Sequence, residues 1–379
     1  MNWETRLYLA AHPFAYPLLR GLARRGPVVR VPGVGVVVND AALARSVLMD
    51  GENFRKDGPG SPGELWTPVL GPSVLLNMEG EAHRALRRRL TELFTPGYAE
   101  NLCARVLAGP LAVLADRLER GAAVDLVDTM RLMAGAVIGE VIGLETDDYR
   151  GLFAQGERIV SMISLRTRRL SPRQVALARA VLDPLGDVAA RSYTSGDEGT
   201  VMGRMRSLGL SEDEARGAAG AFFLTGTETV ATFVPRLVAL LTDAGELGRV
   251  AADPGLLDRA IDEGMRFSTP TPVMLRGVHR ETEIGGTRVR PGDRVLIATH
   301  NCCRAYGPFD LGLTHPPELR RLWFGAGPHF CIGYPLALAE IRAVMTVLLG
   351  AAPLTITHRR AARGVLIPTY ANLTVRKAP

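Results

Sequence analysis

The stretch FGAGPHFCIG, Phe324–Gly333, sets one of the chain's four cysteines at the end of a glycine-rich loop, directly before an apolar helical run. Cys331 falls at the N-terminus of the helix that the following residues predict. There the positive end of the helix dipole and the free backbone N–H groups lower a thiol's pKa and can hydrogen-bond its sulfur. Gly325, Gly327 and Gly333 let backbone approach another group closely. His329, two residues before the sulfur, could reach an anion, and Phe324 could shield one side. Taken alone, the loop also suits a buried thiol in a tight turn, because cysteine is among the most buried residue types. A reactive nucleophile is a third reading, but no nucleophile elbow or Cys/His/Asn signature accompanies it.

The rest of the chain narrows these readings. It has 379 residues, of which 47% are hydrophobic and 22% charged, an ordinary balance for a protein able to bury a large core. Aromatics make up only 6% while Ala, Leu, Arg and Gly are plentiful, which favours helices over an all-β design. The net charge of +6 admits nucleic acid, a membrane surface or an acidic protein as partner and does not choose among them. Short Arg runs and the lack of a Lys/Arg tail weigh against nucleic acid. Cys103, Cys302, Cys303 and Cys331 form no CxxC pair, so neither a zinc site nor a disulfide framework is suggested, and reduced thiols fit best. The N-terminus carries Glu4 and Arg6 early and is broken by His12, Pro13 and Pro17, unlike a signal peptide. No apolar run approaches the roughly 20 residues of a membrane span. The expectation is a cytoplasmic protein without membrane or nucleic-acid partners.

No repeat or linker divides the chain, and one domain is expected over 1–379. VVRVPGVGVVVND (28–40) reads as a strand pair turning at Pro32-Gly33, and 40–49 as a short helix. Residues 51–80 read as Gly/Pro-rich loop. Helical periodicity dominates from Glu79 to about Gly143, then over 146–165, 171–193 and 199–207. Ser211 and Glu214 form a capping-box signature for a long helix ending at Thr242, roughly 45 Å of chain. Another helix runs from about 254 to Arg266 and is stopped by Pro270 and Pro272. Residues 273–300 alternate like a small antiparallel sheet. The last helix runs from near Cys331 to Gly350, and β-structure and coil follow. The class is mainly α with a small discontinuous β region.

Phe-Gly-x-Gly-x-His-x-Cys-x-Gly resembles the haem-binding loop of the cytochromes P450, and Phe324, Gly325, Gly327, His329, Cys331 and Gly333 fill its six fixed positions. The resemblance extends over essentially the whole chain. It implies the P450 fold, with the long central helix over haem b and the Cys331 thiolate as axial iron ligand. FLTGTETVATF (223–233) puts Gly and paired Thr inside the long helix, where they lower propensity and want a reason. By residue type alone this is a locally polar helix face. It is similar to the family's oxygen-activating segment, which maps onto Thr225, Gly226, Glu228 and Thr229. Glu228 would relay protons and the Thr229 hydroxyl would hydrogen-bond the oxygen being activated. Thr225 departs from the usual Ala or Gly; it either narrows the pocket or offers a hydroxyl to substrate.

Glu263 and Arg266 stand at i, i+3 and resemble the family's ExxR structural ion pair. Arg276 falls where a haem propionate contact is implied. His83 and Arg87, one turn apart in EAHRALRRRL (81–90), resemble a propionate-binding pair, and His329 would join them. Arg84, Arg88 and Arg89, with Arg320 and Arg321, would face outward and suit an acidic ferredoxin. One departure is Pro308, which occupies a position where the family usually has Arg or His completing the ExxR network; His300 or Arg304 is the expected substitute. GPGSPG (58–63) satisfies GxGxxG but follows no clear strand and opens no helix, so a dinucleotide site is rejected. The resemblance makes 51–78 the distal loop, with Leu65, Trp66, Val69, Leu70, Phe222 and Thr225 as substrate contacts and Phe223 nearby.

The implied function is haem-thiolate monooxygenation of a largely hydrophobic small molecule by a monomer, with electrons from an external ferredoxin and its reductase. Composition fits a bacterial enzyme of natural-product biosynthesis. Alternatives are a haem-thiolate catalyst of oxidative coupling or cyclisation, one driven by peroxide, and a non-catalytic haem or gas sensor.

Overall fold

A computed structural model describes residues 2–144, 146, 148–163 and 167–378. Its helices are α1 (Trp3–Ala11), α2 (Ala15–Ala23), α3 (Ala41–Met49), α4 (Pro62–Leu70), α5 (Gly80–Thr91), α6 (Pro96–Glu119), α7 (Leu126–Ile142) and α8 (Tyr149–Ser161). They continue with α9 (Pro172–Ser195), α10 (Val201–Ser207), α11 (Glu212–Asp243), α12 (Leu247–Ala252), α13 (Leu257–Ser268), α14 (Thr299–Arg304) and α15 (Tyr334–Gly350). The strands are β1 (Val28–Val31), β2 (Gly35–Val38), β3 (Phe54–Arg55), β4 (Val124–Asp125), β5 (Met274–Val278), β6 (Thr282–Ile284), β7 (Thr287–Val289), β8 (Arg294–Ile297), β9 (Leu354–Ala361) and β10 (Tyr370–Lys377).

The long helix α11 is the axle. Ser211 and Glu214 close a reciprocal capping box, and three acids in its first turn oppose the dipole. Every residue from Val230 to Leu241 is buried, so this half is apolar nearly all round and belongs inside a layer of other helices. It packs on α7, α9 and α13. Gly226 allows the α7 contact: a Cβ there would lie 2.5 Å from Ile138 Cδ1. On α11, Arg236 reaches α1, with Nη2 2.5 Å from Glu4 Oε2, and also donates to Ser268 O at the end of α13. The pair is essentially sealed from water, at 0% and 3% side-chain exposure.

The larger sheet runs β1-β2-β8-β5-β3. It is mixed, because β2 pairs with β8 in parallel while its other pairings are antiparallel. The antiparallel expectation for 273–300 therefore holds for β5–β8 and for the separate β6–β7 hairpin, but the sheet reaches back to residues 36–38. A second sheet, β4-β10-β9, closes the far end.

The long helical segments fall where periodicity puts them. The end of the helix expected over 146–165 lies outside the described residues at 164 and 165. Two corrections concern 51–80. The region contains α4, with Ser61 as N-cap and Pro62 in the first turn; Pro and Gly hide this helix from a periodicity count although they suit its start. GPGSPG thus does open a helix, and β3 precedes it. The strand, however, is two residues long and antiparallel to β5, so no βαβ unit exists to hold a dinucleotide.

Replacing Glu4 with Gln leaves Arg236 as a buried cation without its counter-ion, which costs about 3–5 kcal/mol. Urea unfolding of Glu4→Gln should show a loss in that range, and a loss comparable to a surface substitution would contradict it.

Candidate functional site

The cysteine loop is built on positive-φ backbone at two glycines. Gly325 and Gly327 have φ of 84° and 66°, which favours glycine, and a Cβ at Gly327 would stand 2.6 Å from Leu48 O. The loop therefore lies flat on the end of α3. Cys331 N donates to Phe324 O at 2.9 Å, and the N–H groups of Gly333 and Tyr334, which begin α15, point at the sulfur and favour its ionised form. Burial outweighs them and raises the thiol's pKa. Yet Cys331 has an exposed surface. A side chain on the wall of an interior space shows both properties: water-sized spheres touch it while protein surrounds it.

Positive charge collects at this space. Arg276 on β5 is 3% exposed, and burial lowers its pKa to about 10. Its guanidinium donates to Leu275 O, and Glu79 is the acid that favours its charge. Arg87 Nη2 donates to Phe330 O at 2.7 Å, beside Cys331. Lys56 is desolvated to a pKa of about 7, with Arg276 adding to the fall and with Glu79 and Cys331 opposing it. His83 lies under His329, ring centroids 4.0 Å apart, and its buried Nε2 has no hydrogen-bond partner. Burial and the neighbouring cations hold both rings neutral, His83 at about 4. Glu79 is the carboxylate that these groups share. It accepts from Lys56 N at 3.0 Å and pairs with His329 Nε2 at 2.6 Å. A cleft of about 390 Å³ leads from the surface to Glu79 and His83.

Three cations against one carboxylate, an orphaned imidazole nitrogen and a thiol on the wall of an interior space fit one kind of guest. It would carry two carboxylates and present a thiolate-binding metal. Haem b, with two propionates and an iron, has that chemistry. Lys56, His83, Arg87 and Arg276 could hold the propionates. His329 meets Glu79 through Nε2, which leaves Nδ1 as the ring nitrogen for its expected anchoring role.

The ExxR pair is fully buried, with Arg266 Nη2 2.6 Å from Glu263 Oε1. Arg266 also donates to the carbonyls of Cys303, Gly307 and Pro308. Glu263 accepts from Asp310 N at 2.7 Å and pairs with His315 Nε2 at 2.9 Å. Burial opposes its ionisation, but Arg266, His315 and the Asp310 N–H outweigh it and hold the carboxyl below its usual range. His315 therefore completes the network. Neither His300 nor Arg304 does so: His300 packs on Tyr8 and Tyr16, and Arg304 stacks on Phe267. Pro308 still contributes, through its carbonyl.

On α11, Thr225 is exposed in the middle of the molecule, so it faces interior space. Its hydroxyl donates to Ala221 O at 2.7 Å and keeps its lone pairs as acceptors, so it can both narrow the space and accept a hydrogen bond there. Thr229 Oγ1 donates to Thr225 O at 3.2 Å. Burial pushes the adjacent Glu228 up to about 7, with the Glu157 charge adding to the rise and Arg131 opposing it. Arg131 and Glu157 are themselves paired at 2.5 Å and are about one-third exposed. Phe222 meets Phe94 edge-on, and Leu70 packs on Gly220. Leu65 and Val69 are buried and Trp66 half-buried. Phe223 is buried and lines a small void with Ile138 and Thr227, on the α7 side.

Outside, Arg84 and Arg88 sit on the exposed face of α5 and share Glu81. Arg320 is exposed and Arg321 lies over the Tyr334 ring. Arg89 departs from this face: it is tied to Glu214 and Gly209 O. Sequence reading missed Lys56, Glu79, His315, Arg131 and Glu157. One signal was available for Lys56, since it is one of only two lysines among 45 basic residues.

No family model matches the chain. It is 30% identical over 300 residues to the C-19 steroid 1alpha-hydroxylase of Sorangium cellulosum, covering 74% of each chain. It is 26% identical to the erythromycin C-12 hydroxylase of Saccharopolyspora erythraea over 80% of this chain and 78% of that one. Among solved structures, a mutant of P450 EryK in complex with erythromycin B superposes with a TM-score of 0.83 at 23% identity, covering 98% of both chains.

Glu228 gives a pH test. Its folded pKa, about 7, exceeds the ordinary value of 4.5, so the native state holds the proton more tightly. Its contribution is fully present below about pH 4.5 and is lost as pH rises through 7, about 3 kcal/mol over that window. Glu228→Gln should flatten the fall in unfolding free energy between pH 5 and pH 8. An unchanged slope would contradict the raised pKa.

Proposed function

This chain belongs to the cytochrome P450 family and is a haem-dependent monooxygenase, and from that premise we propose that it oxidises a largely apolar small molecule of bacterial secondary metabolism with electrons from an external ferredoxin and its reductase. The haem supplies dioxygen activation and oxygen transfer when bound. Everything else falls to the chain's own residues.

Cys331 offers its thiolate, stabilised by the Gly333 and Tyr334 N–H groups at the start of α15. Lys56, Arg87, Arg276 and His83 would hold the two propionates. Glu79 keeps His329 in place as packing for His83. Phe324 stacks edge-on against Tyr334 and covers the loop beneath the sulfur. On the other side, Thr229 Oγ1 and Glu228 manage protons. Glu228 is close to half-protonated near neutral pH, so it can both give a proton and regain one. The Arg131–Glu157 pair, about one-third exposed, lies near enough for both charges to act on it.

The substrate cavity takes its shape from Thr225, Phe222 and the α4 segment with Leu65, Trp66, Val69 and Leu70. The Thr225 methyl and the Phe222 ring make it apolar, which suits a hydrophobic substrate. The two relatives named above are hydroxylases, and one of them is named for hydroxylating erythromycin. Arg84, Arg88, Arg320 and Arg321 offer an acidic partner a basic face beside the cysteine loop.

The observation that carries this reading is the meeting of buried Arg276 and half-buried Lys56 and Arg87 with one carboxylate beside Cys331 on an interior wall. The reduced protein under CO should give the Soret band of thiolate-ligated haem, and Cys331→Ala should abolish it. A thiolate-type spectrum that survives the substitution would sink the assignment. For the partner face, Arg84→Glu with Arg88→Glu should raise the KM for ferredoxin roughly tenfold while leaving peroxide-supported turnover unchanged. Equal loss in both assays would argue against docking there.

A further inference from the structure

The two ends of the chain carry a charge imbalance that the haem site does not use. Residues 5–39 and 341–379 hold eleven of the 45 cationic side chains and none of the 39 acidic ones. The rest of the chain is left with 34 cations against 39 acids. The ends lie against each other. Trp3 packs on Tyr370 at 5.9 Å, Gly364 N donates to Ala10 O, and His12 Nε2 meets Leu366 O at 2.8 Å. Three of the eleven cations are paired to acids of the body, Arg30 with Asp293, Arg342 with Asp258 and Arg359 with Asp243. Arg6, Arg20, Arg24, Arg25 and Arg363 are exposed and form no ion pair among the described residues.

Apolar side chains stand out from the same surface. Phe14 is 88% exposed, Leu18, one turn on, 46%, and Leu366 beside His12 38%. These are three of the six large exposed hydrophobics among the described residues, gathered where the acids are absent. The packed face of α2 is a different one, formed by Tyr16, Leu19 and Leu22.

We propose that this face, Phe14, Leu18 and Leu366 flanked by Arg6, Arg20, Arg24 and Arg363, docks the protein peripherally on an anionic lipid bilayer. Protruding single apolar side chains suit insertion between headgroups, whereas a protein partner is usually gripped by a recessed, water-excluding pocket. Cations without local counter-ions supply the long-range attraction to anionic lipid. No helix among the described residues is long and apolar enough to cross a membrane, so the association lies on the surface and is reversible.

The test is vesicle flotation of the holoenzyme, using phosphatidylcholine alone and phosphatidylcholine mixed with phosphatidylglycerol. Binding to the anionic vesicles should be at least about tenfold stronger and should weaken with salt. Phe14→Asp with Leu18→Asp should reduce it about tenfold or more, and Arg20→Glu with Arg24→Glu should do the same. Val113→Asp, at another exposed apolar site, on α6, should leave it unchanged. The substituted side chains are solvent-exposed, so the Soret spectrum and Tm serve as folding controls and are independent of the electron-donor and substrate assignments. Absence of flotation, equal binding to neutral vesicles, or full binding by the Phe14/Leu18 variant would each overturn the proposal. So would a dimer that Phe14→Asp dissolves in the absence of vesicle binding, which would make the face a self-interface.

Discussion

The buried Glu263–Arg266 pair is the constraint on which the cysteine loop's position depends. Two charges sealed at 2% and 0% exposure stabilise little by themselves, because desolvation offsets most of their attraction. Their effect is positional. Arg266 gathers three carbonyls from 303–308, and Glu263 takes the Asp310 N–H and His315. An irregular run that would otherwise have no reason to stay folded is fixed to α13 at both ends. The cysteine loop begins soon after it, and Gly327 completes the attachment by lying against the end of α3. A helix, a meander and a tight turn are thus held in register by one pair of charges.

The second theme is charge that awaits a partner. Around Cys331 cationic side chains outnumber carboxylates, and burial with the Arg276 charge pushes Lys56 toward its neutral form, an imbalance that an anionic guest would relieve. On α11 the reverse happens: Glu228 is buried near another acid, Glu157, and holds its proton instead. One wall is arranged to receive anions and another to store a proton. Both arise from side chains that are unremarkable in sequence and become chemically specific through burial.

How much of this was legible follows from distance along the chain. The cysteine loop, ExxR, His83/Arg87 and Glu228–Thr229 are short patterns whose members are neighbours, and they were readable. So were the long helices, whose periodicity repeats many times. His315 and Glu79 find their partners 52 and 250 positions away, so no local spacing could announce them. His300 and Arg304 were plausible by proximity in sequence, but α14 turns them toward α1 and α2. The helix α4 was hidden because Pro62, Gly63 and Pro68 depress propensity, although Ser61 and Pro62 are good starting residues.

The tie between Glu4 and Arg236 bears on how the chain tolerates being cut. Terminal segments are ordinarily the cheapest part of a domain to trim, because little of their backbone is buried. Here the first helix supplies the counter-ion to the middle of the longest one, and Tyr8 adds a hydrogen bond to Ser268 O. Proteolysis within α1 would not shorten a tail; it would strand a cation in the core, some 230 residues away in sequence. Shortened or re-tagged versions therefore have to keep α1 whole, and clipping there is a route to losing the entire fold.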